Sequence, residues 1–193
     1  MQPIDKPWEQ LRRAESYIEK MTTASSVEEY EEYWKEFLHN LERSWNKLTS
    51  HLKRSPKYQG WVERGKTEKL RRQDQLLSYL VNARGAEEHS VAEISKQQSG
   101  GIRINPVFGN SLKINKVGVI NGQIYIDSDQ PIKIDFIPDK VVLMSVENRG
   151  RTYDVPSEHI GNKLIKNDPV EIAKLGVAFY KTYFENAEVH FVK

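Results

Sequence analysis

The period of the apolar residues changes once along this chain, and that change requires two kinds of structure in one polypeptide. Up to about residue 94 the large apolar side chains recur in steps of three and four, the spacing that gathers them on one face of a helix. Trp8, Leu11, Ile18 and Met21 predict a first helix over residues 7–22. Ser26 with Glu29 three residues later has the form of a capping box and opens a second helix. Its stripe runs through Val27, Tyr30, Trp34, Phe37, Leu38, Leu41, Trp45, Leu48 and Leu52, about seven turns in all. Ser55-Pro56 ends it, because the residue before a proline is pushed out of the helical region. A third helical stretch is weak around Gly60 and Gly65, strong through Leu70, Leu76, Leu77, Leu80 and Val81, and extends past Gly85 toward Ile94.

Residues 97–101 (QQSGG) read as a linker, and beyond them the period falls to two. Ile102/Ile104, Leu112/Ile114, Val117/Val119, Ile124/Ile126, Ile132/Ile134/Phe136 and residues 141–146 all suit strands. Asn121-Gly122 lies between two of them as a hairpin turn, and Asn148-Arg149-Gly150 turns another. Asp168-Pro169-Val170-Glu171 is an N-cap followed by proline at the first helical position. It opens a last helix with the stripe Ile172, Leu175, Phe179, Tyr183 and Ala187. The expected fold class is α+β. A helical bundle fills residues 1–98, and a small antiparallel β module with a C-terminal helix fills residues 99–193.

Composition narrows the function classes. With 38% hydrophobic and 29% charged residues, the 193-residue chain has a soluble composition with enough apolar material for a core. No run approaches the length of a membrane span, and the first residues have no apolar segment of a secretory signal, so a cytoplasmic protein with no membrane partner is expected. The absence of cysteine excludes disulfides, thiol catalysis and cysteine-based metal sites. His39 and His51 stand twelve apart with no third ligand at metal spacing, and Asp127, Asp129 and Asp135 lack the pattern of a calcium loop. No metal and no cofactor are expected.

The net charge of +2 names no partner, but charge segregates within the first half. Residues 28–36 carry five glutamates and one lysine. Residues 43–72 carry ten Lys and Arg residues against Glu63 and Glu68, with Trp45, Tyr58 and Trp61 interleaved. Cations attract phosphates and aromatic faces stack unpaired bases, so the pattern fits a single-stranded nucleic-acid surface, with Lys69, Arg71, Arg72 and Trp61 as substrate-binding candidates. Equally, the aromatics fit a core and the charges a solvated face. Arg72 and Asp74 are candidates for orienting a bound strand or for an ordinary surface role. His159 and Glu158 sit in a loop before the last helix, where functional residues concentrate.

The segment with the most chemistry in it is residues 80–90, which contains Arg84, four residues, then His89. In this motif, late in a helical stretch, the chain resembles the HEPN superfamily over roughly residues 8–98. That resemblance implies a helical bundle, commonly a homodimer, and a metal-independent ribonuclease in which the Arg and His are catalytic. It implies a role as a toxin or defence effector. The residue types suit the chemistry. Histidine transfers protons near neutral pH, and arginine stays charged and forks onto phosphate oxygens. On a helix, a separation of five residues is about 7.5 Å of rise and about 140° of rotation. One histidine per chain serves poorly as both acid and base, and pairing two chains supplies a second. Gly85, directly after Arg84, permits a local break in the helix. The alternative is a non-catalytic dimeric interaction protein in which Arg84 pairs with Glu87 or Glu88, and in either case the C-terminal module is available to a protein partner.

Overall fold

The computed structural model describes residues 4–89, 95–98, 101–120, 123–137, 140–164 and 168–192. The architecture is α+β and mostly helical. Helix α1 spans Asp5–Thr23 and helix α2 Val27–Leu52. A single 3₁₀ turn at Pro56–Tyr58 leads to α3 (Val62–Gln73), α4 (Gln75–His89) and, at the end of the chain, α5 (Pro169–Phe191). Ten short strands lie between α4 and α5: β1 Ser95–Gln98, β2 Gly101–Pro106, β3 Ile114–Ile120, β4 Gln123–Ser128, β5 Ile132–Ile137, β6 Lys140–Leu143, β7 Val146–Asn148, β8 Arg151–Tyr153, β9 Glu158–His159 and β10 Asn162–Lys163. They form two-stranded sheets in the pairs β1–β6, β2–β5, β3–β4, β7–β8 and β9–β10.

Local chemistry sets the helix ends. Ser26 Oγ accepts the Glu29 amide at 3.1 Å, as the capping box requires, and Glu29 reaches back to Ser25, bonding its amide at 2.8 Å and its hydroxyl at 2.7 Å. Asp168 caps α5 by accepting the Val170 amide at 2.8 Å. The third helical stretch divides in two at Asp74, which the continuous apolar pattern does not announce. Asp74 takes an extended backbone (ψ 133°) and its Oδ1 accepts the Leu77 amide at 2.9 Å, capping α4. Helix α4 then continues unbroken through Gly85 to His89. The remainder of the expected extension, residues 90–94, lies outside the described residues.

Contacts divide the chain into two units. One comprises residues 1–96 with 141–193, the other residues 97–140. In the first, the stripes of the helices meet in one core. Leu11, Ala14 and Ile18 of α1 join Trp34, Phe37, Leu41 and Leu48 of α2, Leu76, Leu77 and Leu80 of α4, and Ile172, Val177, Tyr180 and Phe184 of α5. Helix α5, expected beside the β module, packs instead on α1 and α2. Of its expected stripe Ile172, Tyr183 and Ala187 are buried and Leu175 and Phe179 half-buried, and Trp8 stands edge-on to Phe184 and donates through its indole N–H to Glu188 at 2.7 Å. At Gly176 of α5 a Cβ would lie 2.5 Å from Leu80 Cδ1, so glycine is what lets α5 approach α4 this closely. The segments after residue 141 fasten onto α4. Tyr79, fully buried, donates its hydroxyl to the Met144 carbonyl at 2.8 Å.

The β7–β8 hairpin turns at Arg149 (φ 53°) and Gly150 (φ 71°), with Asn148 facing Arg151, a two-residue turn of the kind its sequence predicts. In the second unit β2 pairs with β5 from Gly101↔Ile137 to Pro106↔Ile132, and β3 pairs with β4 from Ile114↔Ser128 to Ile120↔Gln123. The Asn121-Gly122 turn itself lies outside the described residues. Alternation puts Val117, Val119 and Ile126 on one face of the β3–β4 ribbon. Val117 and Val119 are 58% and 70% exposed, and no residue of this unit whose side chain is described is buried.

Candidate functional site

Helix α2 carries cations along the side turned away from its core stripe, because steps of three and four from Arg43 lead through Lys47 and His51 toward Arg54. The beginning of α1 and the end of α4 close that side into an open groove of about 1110 Å³. Lys6 and Asp5 come from α1, with the buried Pro7 as part of the floor. His39, Arg43, Lys47 and His51 come from α2, together with Asn46 and Ser50, Arg54 comes from the turn that follows it, and Arg84 comes from α4. Among the described residues, five fixed cations thus face one carboxylate, and two histidines join them. From His39 to His51 the α2 wall extends about 18 Å, long enough for several consecutive phosphates of one strand.

Arg84 of the motif is therefore part of a cationic surface built from three helices, not an isolated arginine. His89 ends α4, five helical residues on, and its side chain is outside the described residues. The amide of Asn148, from the β7–β8 hairpin, sits over Gly85. A Cβ at position 85 would overlap the Asn148 Nδ2 and lie 3.1 Å from its Cγ. Asn148 Nδ2 donates to Asn82 Oδ1 at 2.9 Å, and Asn82 Nδ2 donates to the Ser78 carbonyl at 2.7 Å. Gly85 therefore serves the close approach of the hairpin and does not break the helix.

The four substrate-binding candidates separate. Trp61 does not offer its ring to a base. It is buried among Tyr183, His190 and Phe191, with ring centroids at 5.0, 5.8 and 5.1 Å. Arg71 is buried as well and is committed to Glu42, with Nη2 bonding Oε1 at 3.0 Å and Oε2 at 2.8 Å. Its guanidinium lies 4.2 Å over the Trp45 ring and 5.3 Å from that of Tyr180. Burial pulls its pKa down from the ordinary arginine value, opposed by the Glu42 charge. Arg72 is exposed and, with Lys53, borders a smaller hollow of about 380 Å³ that shares Asn46 with the groove. Lys69 is exposed on α3. Tyr58 and Trp45 are buried with the aromatics, so the interleaved rings of this segment belong to the core.

Sequence reasoning missed the two groove histidines as partners of Arg84, and it missed Lys6 altogether. The α2 spacing held a signal for His39, Arg43, Lys47 and Arg54, but nothing local places Lys6 or Arg84 beside them. His159, expected in a loop, sits at the end of β9 with Nδ1 2.9 Å from Asp74 Oδ1. No group of three or more His, Asp or Glu that could hold a metal occurs among the described residues, and no helix among them is long and apolar enough to cross a membrane. No protein-family model, curated protein or solved structure matches the chain.

Proposed function

We propose that the groove binds the sugar–phosphate backbone of single-stranded RNA and that the chain is a metal-independent endoribonuclease acting through Arg84 and His89. The observation that carries this reading is the position of Arg84 in a groove with Lys6, Arg43, Lys47 and Arg54, a surface whose charge suits consecutive phosphates. In the reaction a base removes the proton of a 2′-hydroxyl and its oxygen attacks the adjacent phosphorus. The bond to the 5′-oxygen breaks and an acid protonates that oxygen, leaving a 2′,3′-cyclic phosphate and a 5′-hydroxyl. Arg84 binds the phosphate oxygens, where charge builds in the transition state. His89 handles one proton, and the His89 of a second copy in a homodimer handles the other.

The test is cleavage of labelled single-stranded RNA in EDTA by wild type, His89→Ala and Arg84→Ala, each shown to elute alike. Cyclic-phosphate ends from wild type alone support the reading; equal cleavage by all three, or by none, sinks it. A second reading has its own observation. The exposed Val117 and Val119 on the β3–β4 ribbon suit an interaction protein without catalysis. Salt separates the two, because phosphate binding weakens steeply as salt rises and apolar docking does not.

A further inference from the structure

The residue that follows the motif arginine has no side chain, and the chain fills that space from 63 positions away. The carboxamide of Asn148 lies where a side chain at Gly85 would begin, with its Oδ1 3.3 Å from the Cβ position. Its Nδ2 is tied to Asn82, one turn back from Ala86 on the same helix. The hairpin that delivers it is firmly seated. Val146 is buried at its base, the Tyr79 hydroxyl holds the Met144 carbonyl, and Arg149 and Gly150 form its tight turn. An amide is thereby held against the helical turn from which Arg84 projects.

We infer that Asn148 is a positioning residue of the Arg84 site: from the β7–β8 hairpin, by seating its amide over Gly85 and bonding Asn82, it fixes the turn of α4 that presents Arg84. The inference rests on the RNA-binding reading of the groove. An arginine that binds phosphate gains from having its direction set before the strand arrives, since less rotamer freedom is then lost on binding. A purely steric spacer would need no amide. An alanine or a glycine at position 148 would let the hairpin approach equally well, with Gly85 opposite.

The experiment is a binding cycle with a fluorescent single-stranded RNA at fixed salt, using wild type, Asn148→Ala, Arg84→Ala, the double variant, and Arg43→Glu/Lys47→Glu as a control of the groove. If Asn148 positions Arg84, Asn148→Ala weakens binding about fivefold in the wild-type background and hardly at all once Arg84 is gone. The paired exchange Gly85→Asn/Asn148→Gly, which moves the amide from hairpin to helix, restores affinity, and Gly85→Ala/Asn148→Gly does not. Thermal midpoints of all variants separate this from unfolding. If Asn148→Ala has no effect, or an equal effect in both backgrounds, while the groove control loses binding, the role of Asn148 is overturned and the groove reading stands. If wild type binds no RNA, the groove reading falls and takes this inference with it.

Discussion

Asp74 and His159 are 85 residues apart and form a buried pair, Oδ1 to Nδ1 at 2.9 Å, at the corner where α3 gives way to α4. The Asp74 carboxylate has two further partners. It also accepts the Leu77 amide at 2.9 Å and, through Oδ2, the Ile160 amide at 2.7 Å. The second of these holds a β-branched residue at φ 49°, a conformation that costs of order 1 kcal/mol or more. Asp74→Ala removes an N-cap, a hairpin anchor and the histidine's partner together. We expect it to lower stability by about 3 kcal/mol in urea unfolding. A change under about 0.5 kcal/mol would show that the corner holds without it.

The Glu42–Arg71 pair joins α2 to α3 across 29 residues and is nearly closed to water, with side chains 16% and 9% exposed. Breaking such a pair leaves one charge buried alone. Glu42→Gln should cost about 3 kcal/mol. Arg71→Lys should cost a comparable amount, because an ammonium has no planar face to lay over Trp45 while it bonds Glu42. Neither change should alter the salt dependence of RNA binding, since Arg71 does not line the large groove. A lowered salt slope in Arg71→Lys would return Arg71 to the binding surface.

These two pairs mark the limit of what the sequence discloses. The caps at Ser26 and Asp168 and the turn at Arg149-Gly150 depend on a few adjacent residues, and each is legible in four or five letters. The break at Asp74 is not legible, because half of its cause is a hairpin 85 residues downstream. The same holds for α5. Its apolar stripe is plain in the sequence, but which face it meets depends on Trp8, Leu80 and the missing side chain of Gly176. In the basic segment the letters supply the charges, and packing alone decides that Arg71 and Trp61 turn inward while Arg43, Lys47 and Arg54 line a groove. Arg84 stood out by its spacing from His89, yet Lys6 in its groove and Asn148 over the adjacent Gly85 arrive from distant parts of the chain.

Two helical glycines should respond to alanine with opposite signs. Gly65 lies within α3, and a Cβ there meets nothing within 4 Å. Gly65→Ala should add about 0.5–1 kcal/mol by helix propensity and a less flexible unfolded chain. At Gly176 the new methyl would lie 2.5 Å from Leu80 Cδ1, with Leu41 and Leu76 close behind. Gly176→Ala should destabilise by about 1–3 kcal/mol, because a packed core offers Leu80 no free rotamer to retreat into. Urea midpoints of the two variants check the pair. Equal signs would mean that α5 does not press on α4 as closely as described.

Acid should loosen the start of α2 through Glu29. Its carboxylate accepts the Tyr33 hydroxyl at 2.6 Å and both the amide and the hydroxyl of Ser25. The Tyr33 bond, followed by the two from Ser25, pulls its pKa down from 4.5 to about 2. A depressed carboxylate contributes stability in full above its unfolded value, and loses it as pH falls through the folded one. The contribution of Glu29 is therefore intact at neutral pH, begins to fail below about 4.5 and is gone below about 2. Glu29→Gln keeps the Ser26 cap on its backbone amide but has no charge to lose. Its thermal midpoint should lie below that of wild type by a constant margin from pH 7 to pH 5, and the margin should close as pH drops toward 2. A margin that stays constant to pH 2, or one that opens on acidification, would mean that Glu29 is not held ionised by Tyr33 and Ser25.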